Sequence, residues 1–191
     1  MSEASATSHE LSAERYLEMA YCGDIGEDDR VELLGGMIVS MPLQSPEHAS
    51  TVYRVQRLLE SHVPDAIVRV RMTFVAGGSN VPEPDLAVVP GPARLYELAH
   101  PTTAQLIVEV AQATVLQDRM TKAAIYAAAG VACYWIVNLR DHCVEVFEDP
   151  DPARAAYGSS RLARGSEVLV VQAWPQIAFR AAELLPASPL R

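Results

Sequence analysis

Cysteine is scarce in this chain. Cys22, Cys133 and Cys143 are odd in number and widely spaced. That argues against a disulfide framework and a short-spaced thiolate metal motif, and it suits a reducing cytosol. A cytoplasmic location is therefore expected. Long hydrophobic runs are missing too, so no segment reads as a bilayer span. The opening MSEASATSHE is polar and acidic, unlike a signal peptide. Residues 1–10 are expected to be a flexible lead-in and residues 186–191 a tail. There is no internal repeat and no low-complexity tract. Positive charge is also short: 15 Lys and Arg stand against 24 Asp and Glu, a formal net charge of −9. Such a surplus repels polyanions unless basic groups cluster locally. Acids gathered around a pocket would instead attract divalent cations. Charge alone thus favours a metal site over a strong, non-specific DNA binder.

Apolar residues are plentiful, at 50% of 191 positions. That is enough for one domain with a sizeable core, placed at residues 11–185. Leu11–Ala20 reads as a helix with Ser12 at its N-cap. Val31–Leu34 and Met37–Met41 flank Gly35-Gly36, a tight-hairpin signal. Ser45-Pro46 suits a helix start, and Val52, Val55, Leu58 and Leu59 continue at helical spacing as far as His62, with Pro64 as the stop. Ala66–Ala76 and Pro84–Val89 read as strands. Gln105–Val110, QLIVEV, reads as a strand covered on both faces. Asp118–Ala129 is a helix closed by Gly130. Cys133–Val137 and Cys143–Phe147 form a strand pair, and DPDPARAAYGSS reads as a solvated loop. Val168–Gln172 and Ile177–Phe179 are terminal strands, with Ala181–Leu185 a closing turn or helix. The central order, helix, three strands, helix, strand, requires a mixed sheet with helices on its faces: an α/β (α+β) fold with an αβββαβ core.

One polar feature breaks the apolar frame. Glu109 lies inside QLIVEV, where an ionised carboxylate is costly unless a metal, a cation or several donors meet it. Its ordinary reading is an edge glutamate or one paired with arginine. Asp85 opens the preceding strand and Lys122 lies on the following helix. Two carboxylates and an ammonium are what phosphodiester hydrolysis needs. The carboxylates hold a hard divalent cation, Mg²⁺ with Mn²⁺ as the alternative, and the lysine orients water or steadies developing charge. The ordinary reading of Lys122 is a helical pair with Asp118. Glu32, in the hairpin, is a further metal-ligand candidate, or else a solvent-facing strand residue. His48 would sit in the first turn of a helix, where anions are favoured, or be a plain solvated histidine. Gln112 and Tyr126 are candidate substrate contacts; Tyr126 follows Lys122 by one turn and otherwise reads as a core-edge tyrosine. Trp135 reads as core, and His62, His100 and His142 show no metal spacing.

The segments VELLGGMIVSMPLQSPEHAS, VPEPDLAVV, QLIVEV, DRMTKAAIYAAAGVACYWIVN and CVEVF together resemble the Uma-type restriction-endonuclease family, long catalogued as a bacterial domain of unknown function. The resemblance spans roughly Leu11 to Leu185. It implies the restriction-endonuclease-like fold of the PD-(D/E)xK nucleases, with Glu32, Asp85 and Glu109 as metal ligands. The superfamily's usual lysine position is Ala111 here, and the resemblance assigns the lysine to the next helix, at Lys122. After the second acid the family's serine and proline give way to Gln112 and Ala113, and an acid that follows the YWIV-like strand is Asn138. The implied function is a Mg²⁺-dependent endonuclease hydrolysing phosphodiester bonds in DNA, by two carboxylates and a lysine. The alternative is a catalytically weak or inactive nuclease-fold module that binds nucleic acid or serves assembly. A homodimer is expected by analogy with nucleases that cut two strands.

Overall fold

The computed structural model describes residues 10–26, 28–63 and 65–187. The expectations for residues 1–9 of the lead-in, for Pro64 and for most of the 186–191 tail fall outside them. The first helix, α1 (Ala13–Cys22), begins at Ser12, whose side chain accepts from the Arg15 amide. Next comes the hairpin of β1 (Val31–Leu34) and β2 (Met37–Ser40). Its turn places Gly35 and Gly36 at φ 56° and 74°, a conformation that costs glycine little. The second helix, α2 (Pro46–Glu60), has Ser45 capping the His48 amide and proline in its first turn.

A six-stranded sheet comes next, in the order β3 (Ala66–Val70), β4 (Leu86–Pro90), β5 (Leu106–Ala111), β6 (Cys133–Asn138), β7 (Cys143–Asp151) and β8 (Ala156–Ala163). Only β5 and β6 run parallel; the other neighbours are antiparallel. Between β5 and β6 lie α3 (Val115–Gln117), a π-helical turn over Asp118–Lys122 and α4 (Ala123–Ala128). A second hairpin, β9 (Val168–Val171) with β10 (Trp174–Arg180), leads into α5 (Ala181–Leu184).

Strand alternation divides the core. Leu106, Val108 and Val110 of β5, with Trp135 and Val137 of β6, pack against α2 and the terminal hairpin. Ile107 and Ala111, with Tyr134 and Ile136, face α4. Glu109 belongs to this second face by the period-2 rule. All six residues of β5 are buried, as its apolar run predicts.

Three local readings need correction. DPDPARAAYGSS is not a solvated loop: β7 continues through Asp151, turns, and returns as the edge strand β8, with Pro150 opposite Tyr157. Proline is tolerated here near a sheet margin. The strand expected over Ala66–Ala76 stops at Val70, because Arg71 takes a left-handed φ of 49°, and the chain then runs irregularly beside Pro82 and Pro101. The helix expected from Asp118 already begins at Val115 and carries the π-helical turn.

Candidate active site

The register of β4 against β5 pairs Leu86 with Val108. One step further, Asp85 faces Glu109, and the regular ladder opens. There the cross-strand bonds pass to side chains: the Val110 N–H donates to Asp85 Oδ2 at 2.9 Å and the Asp85 N–H to Glu109 Oε2 at 3.3 Å. Two carboxylates are thus seated side by side on the α4 face of the sheet. The bond between β1 and the Val81 segment, Leu33 to Val81, brings the hairpin over the same place. Leu33 turns into a small cluster with Tyr16 and Val81, so Glu32 points the other way, towards the carboxylates.

Lys122 ends the π-helical turn and closes the group. Its Nζ lies 3.0 Å from Glu109 Oε1 and 3.1 Å from Glu32 Oε2. The extra residue in a π-helical turn rotates the helix beyond it, a local distortion frequent at functional sites. One helical turn apart, Lys122 and Tyr126 both reach Glu109 Oε1; the Tyr126 hydroxyl donates to it at 2.8 Å. Lys122 does not pair with Asp118, which instead accepts from Thr114 Oγ1 at 2.8 Å. Lys122 is also the chain's only lysine.

The cleft over this group has a volume of about 140 Å³ and is walled by Glu32, Asp85, Glu109, Asp118 and Lys122, with the 41–45 loop as one lip. His48 and Gln112 line it too. The His48 ring is not a solvated first-turn side chain, since its Nε2 lies 3.0 Å from Asp85 Oδ2. Gln112 ties the post-β5 loop to the start of α2 through Ser45 and Glu47. Tyr126 is fully buried beneath Glu109 and outside the cleft lining, so it touches the site through that carboxylate rather than through a substrate. Trp135 is core.

Burial pushes the Glu109 carboxyl up to about 8, against the opposing pull of Lys122. Asp118, also desolvated, is pushed up to about 6. Burial alone would lower the Lys122 ammonium, but Glu109, Glu32 and Asp118 outweigh it and raise it above the ordinary lysine range. Lys122 is therefore held protonated, while the desolvation falls on Glu109.

Three charged residues of the cleft escaped the sequence reading. Arg71 and Glu83 line it, and the Glu83 amide donates to Glu32 Oε2 at 3.3 Å. Asp118 reads from its spacing only as a helical partner for Lys122. Arg71 had no signal beyond an arginine in a β-rich run, whereas the lone lysine of the chain was a signal available to counting.

Among the described residues, no group of three or more His, Cys, Asp or Glu converges on a metal position as the side chains stand. The donor set nonetheless fits a hard cation. Among the described residues, Glu109 Oε2 has one long amide contact and Asp85 Oδ1 has only Arg71 Nε at 3.8 Å. Lys122 currently takes Oε2 of Glu32. Oxygen donors of this kind suit Mg²⁺, which keeps several waters and needs only one or two protein carboxylates.

A family model described as "Uma2: Putative restriction endonuclease" matches residues 13–182. The chain belongs to the Uma2 family. No curated protein matches it. Among solved structures, it is similar to a crystal structure titled as a putative nuclease belonging to DUF820 from Anabaena variabilis ATCC 29413. The two share 13% identity at a TM-score of 0.72, covering 91% of this chain and 97% of that one. At that identity the likeness speaks for the fold: the mixed sheet, N-terminal helix and hairpin of this Uma2 chain are those of a nuclease-like structure. Among its described residues no helix is long and apolar enough to cross a membrane.

Proposed function

We propose that this chain is a Mg²⁺-dependent endonuclease that hydrolyses phosphodiester bonds in DNA, with residues 11–185 acting as one unit. The observation that carries the reading is the buried junction at Lys122, whose ammonium contacts Glu109 and Glu32 within about 3 Å, with Asp85 hydrogen-bonded into the same group. Family membership supports the reaction class. Glu32, Asp85 and Glu109 would hold the cation, which supplies Lewis acidity towards phosphate and water. Mn²⁺ has the same oxygen preference and is expected to substitute.

The protein's own groups have distinct tasks. Asp85 is fixed by the Val110 amide and by His48 on one oxygen, which leaves the other directed at the cleft. Tyr126 and Lys122 together orient Glu109. Because its carboxylate neighbours keep Lys122 protonated, it acts as a donor that orients the attacking water or steadies negative charge at phosphorus. It does not act as the base.

A second reading has one observation in its favour. The carboxylates already have internal partners in Lys122 and His48, as they would in a nuclease-fold module that binds nucleic acid without cutting. Cleavage assays on plasmid and single-stranded DNA with Mg²⁺ and Mn²⁺, beside Asp85→Asn and Lys122→Met, separate the two. Cleavage lost in both variants supports the enzyme; DNA binding without cleavage under any metal supports the module. Sedimentation equilibrium with and without DNA tests the expected homodimer.

A further inference from the structure

Three cationic or ionisable basic side chains line the cleft: His48, Arg71 and Lys122. Two are committed. Lys122 holds two carboxylates and His48 holds Asp85 Oδ2 at 3.0 Å. Arg71 is not. Its Nε lies 3.8 Å from Asp85 Oδ1, beyond hydrogen-bond distance, and is buried without a hydrogen-bond partner among the described residues. The contrast with Arg119 is direct, since that guanidinium grips Glu145 through two bonds of 2.6 and 2.7 Å.

The backbone holds Arg71 in place at some cost. Its φ of 49° is left-handed, a region disfavoured for a side chain without local hydrogen-bonding reach. Its N–H donates to the carbonyl of Asp85 itself at 3.2 Å. The arginine is therefore tied to the same residue whose carboxylate it faces. Strain kept at one such position, with an uncommitted guanidinium beside a metal-ligand candidate, is the pattern expected of a group awaiting a ligand.

We propose that Arg71 grips the substrate phosphate, donating to a non-bridging oxygen of a nucleic-acid phosphodiester beside Asp85. The proposal rests on the nuclease reading and names a substrate contact within it. Electrostatics supply the reason. A divalent cation drawn to Asp85 and a guanidinium at this distance repel each other unless an anion comes between them. A phosphate does so, because one oxygen faces the cation while another meets the planar fork of donors that suits arginine better than lysine. Net charge adds to the case. On a chain of −9, a phosphate needs a local positive group, and among the described residues Arg71 is the cleft cation without a hydrogen bond to a carboxylate.

The test measures binding, not turnover. Wild type, Arg71→Lys and Arg71→Gly are compared, the last because glycine accepts the left-handed backbone and so preserves folding. Affinities for a short DNA duplex and for a single-stranded oligonucleotide are measured with Ca²⁺ in place of Mg²⁺, over a range of salt. Mg²⁺ binding is measured separately by calorimetry. The expected result is a loss of roughly tenfold or more in DNA affinity for Arg71→Gly, with the slope of log K against log salt reduced by about one. Arg71→Lys should keep that slope but recover only part of the affinity, and Mg²⁺ affinity should be unchanged or higher in both. DNA affinity and salt slope equal to wild type in Arg71→Gly would overturn the proposal and leave the nuclease reading standing. A wild-type protein that binds Mg²⁺ but neither DNA would overturn both.

Discussion

Lys122→Met removes the charge at the centre of the site while keeping much of the side chain's bulk. In the native protein the ammonium sits 3.0 Å from Glu109 and 3.1 Å from Glu32, with both carboxylates about 95% buried. At an effective dielectric constant of about 20, each contact is worth roughly 5 kcal/mol before desolvation is counted. Removing one member of a buried pair costs about 3–5 kcal/mol, because its partner is left uncompensated. The size should depend on pH. Burial already holds Glu109 up near 8, and Lys122 is the largest opposing influence, so the variant raises it further. A carboxyl whose folded pKa lies above its unfolded value contributes stability that is full below the unfolded pKa and lost as pH rises through the folded one. Wild type stops losing stability once Glu109 ionises near 8, whereas the variant goes on losing it until its own, higher pKa is reached. The gap should therefore be smallest near about pH 6 and widen from about pH 8 towards about pH 9.5, at up to about 1.4 kcal/mol per unit for one proton. Urea unfolding of both proteins in EDTA across that range gives the numbers. Adding Mg²⁺ should restore more stability to the variant than to wild type, since a cation that binds only the folded state stabilises it by mass action. Equal stability of the two proteins in EDTA at the alkaline end of the range, or a gap independent of pH, would refute the reasoning.

The same geometry has other consequences. Mg²⁺ affinity should rise with pH by up to about tenfold per unit until Glu109 is ionised near 8 and then level off, because binding must displace its proton; calorimetry at four or five pH values reads this. Tyr126→Phe deletes a buried donor to a carboxylate and should lower unfolding stability by about 1.5–3 kcal/mol while leaving the fold's circular dichroism intact. Arg119→Ala strips buried Glu145 of a bidentate partner, and because Arg119 is about one-third exposed the loss should fall nearer about 2–3 kcal/mol, measured by urea unfolding. Gly36→Ala would place a Cβ 2.6 Å from that of Glu10 at a φ of 74°, and should lower the melting temperature by several degrees through strain and a displaced N-terminal contact.

Several parts of the fold can be read directly from residue chemistry. The Ser12 and Ser45 caps, the Gly35-Gly36 turn and the buried run of β5 all obey local rules that the tertiary structure does not override. The site was legible where burial makes a residue costly: nothing in the packing of QLIVEV calls for Glu109. The features that escaped were set by context. The far end of β7 carries Asp and Pro and the edge strand β8 is mostly solvent-facing, because an edge strand needs no apolar pattern on both faces. The π-helical turn leaves no mark in apolar spacing. Arg71 and Glu83 acquire meaning only when β3 breaks and Pro82–Pro84 folds back beside Glu32, a juxtaposition between segments that no local window contains. The family resemblance assigned Glu32 a place beside the pair; residue spacing alone left it equally a solvent-facing strand position.

The most direct test of the central claim uses the lone lysine. With ¹³C at its ε-carbon, the protein gives a single lysine methylene signal, from Lys122. If Glu32, Asp85 and Glu109 hold a divalent cation beside it, substoichiometric Mn²⁺ should broaden that signal beyond detection. Excess Mg²⁺ should bring it back, and Asp85→Asn should weaken the effect by about tenfold in Mn²⁺ concentration. A signal that stays sharp in the presence of Mn²⁺, at neutral and alkaline pH alike, would contradict the metal site and the mechanism built on it.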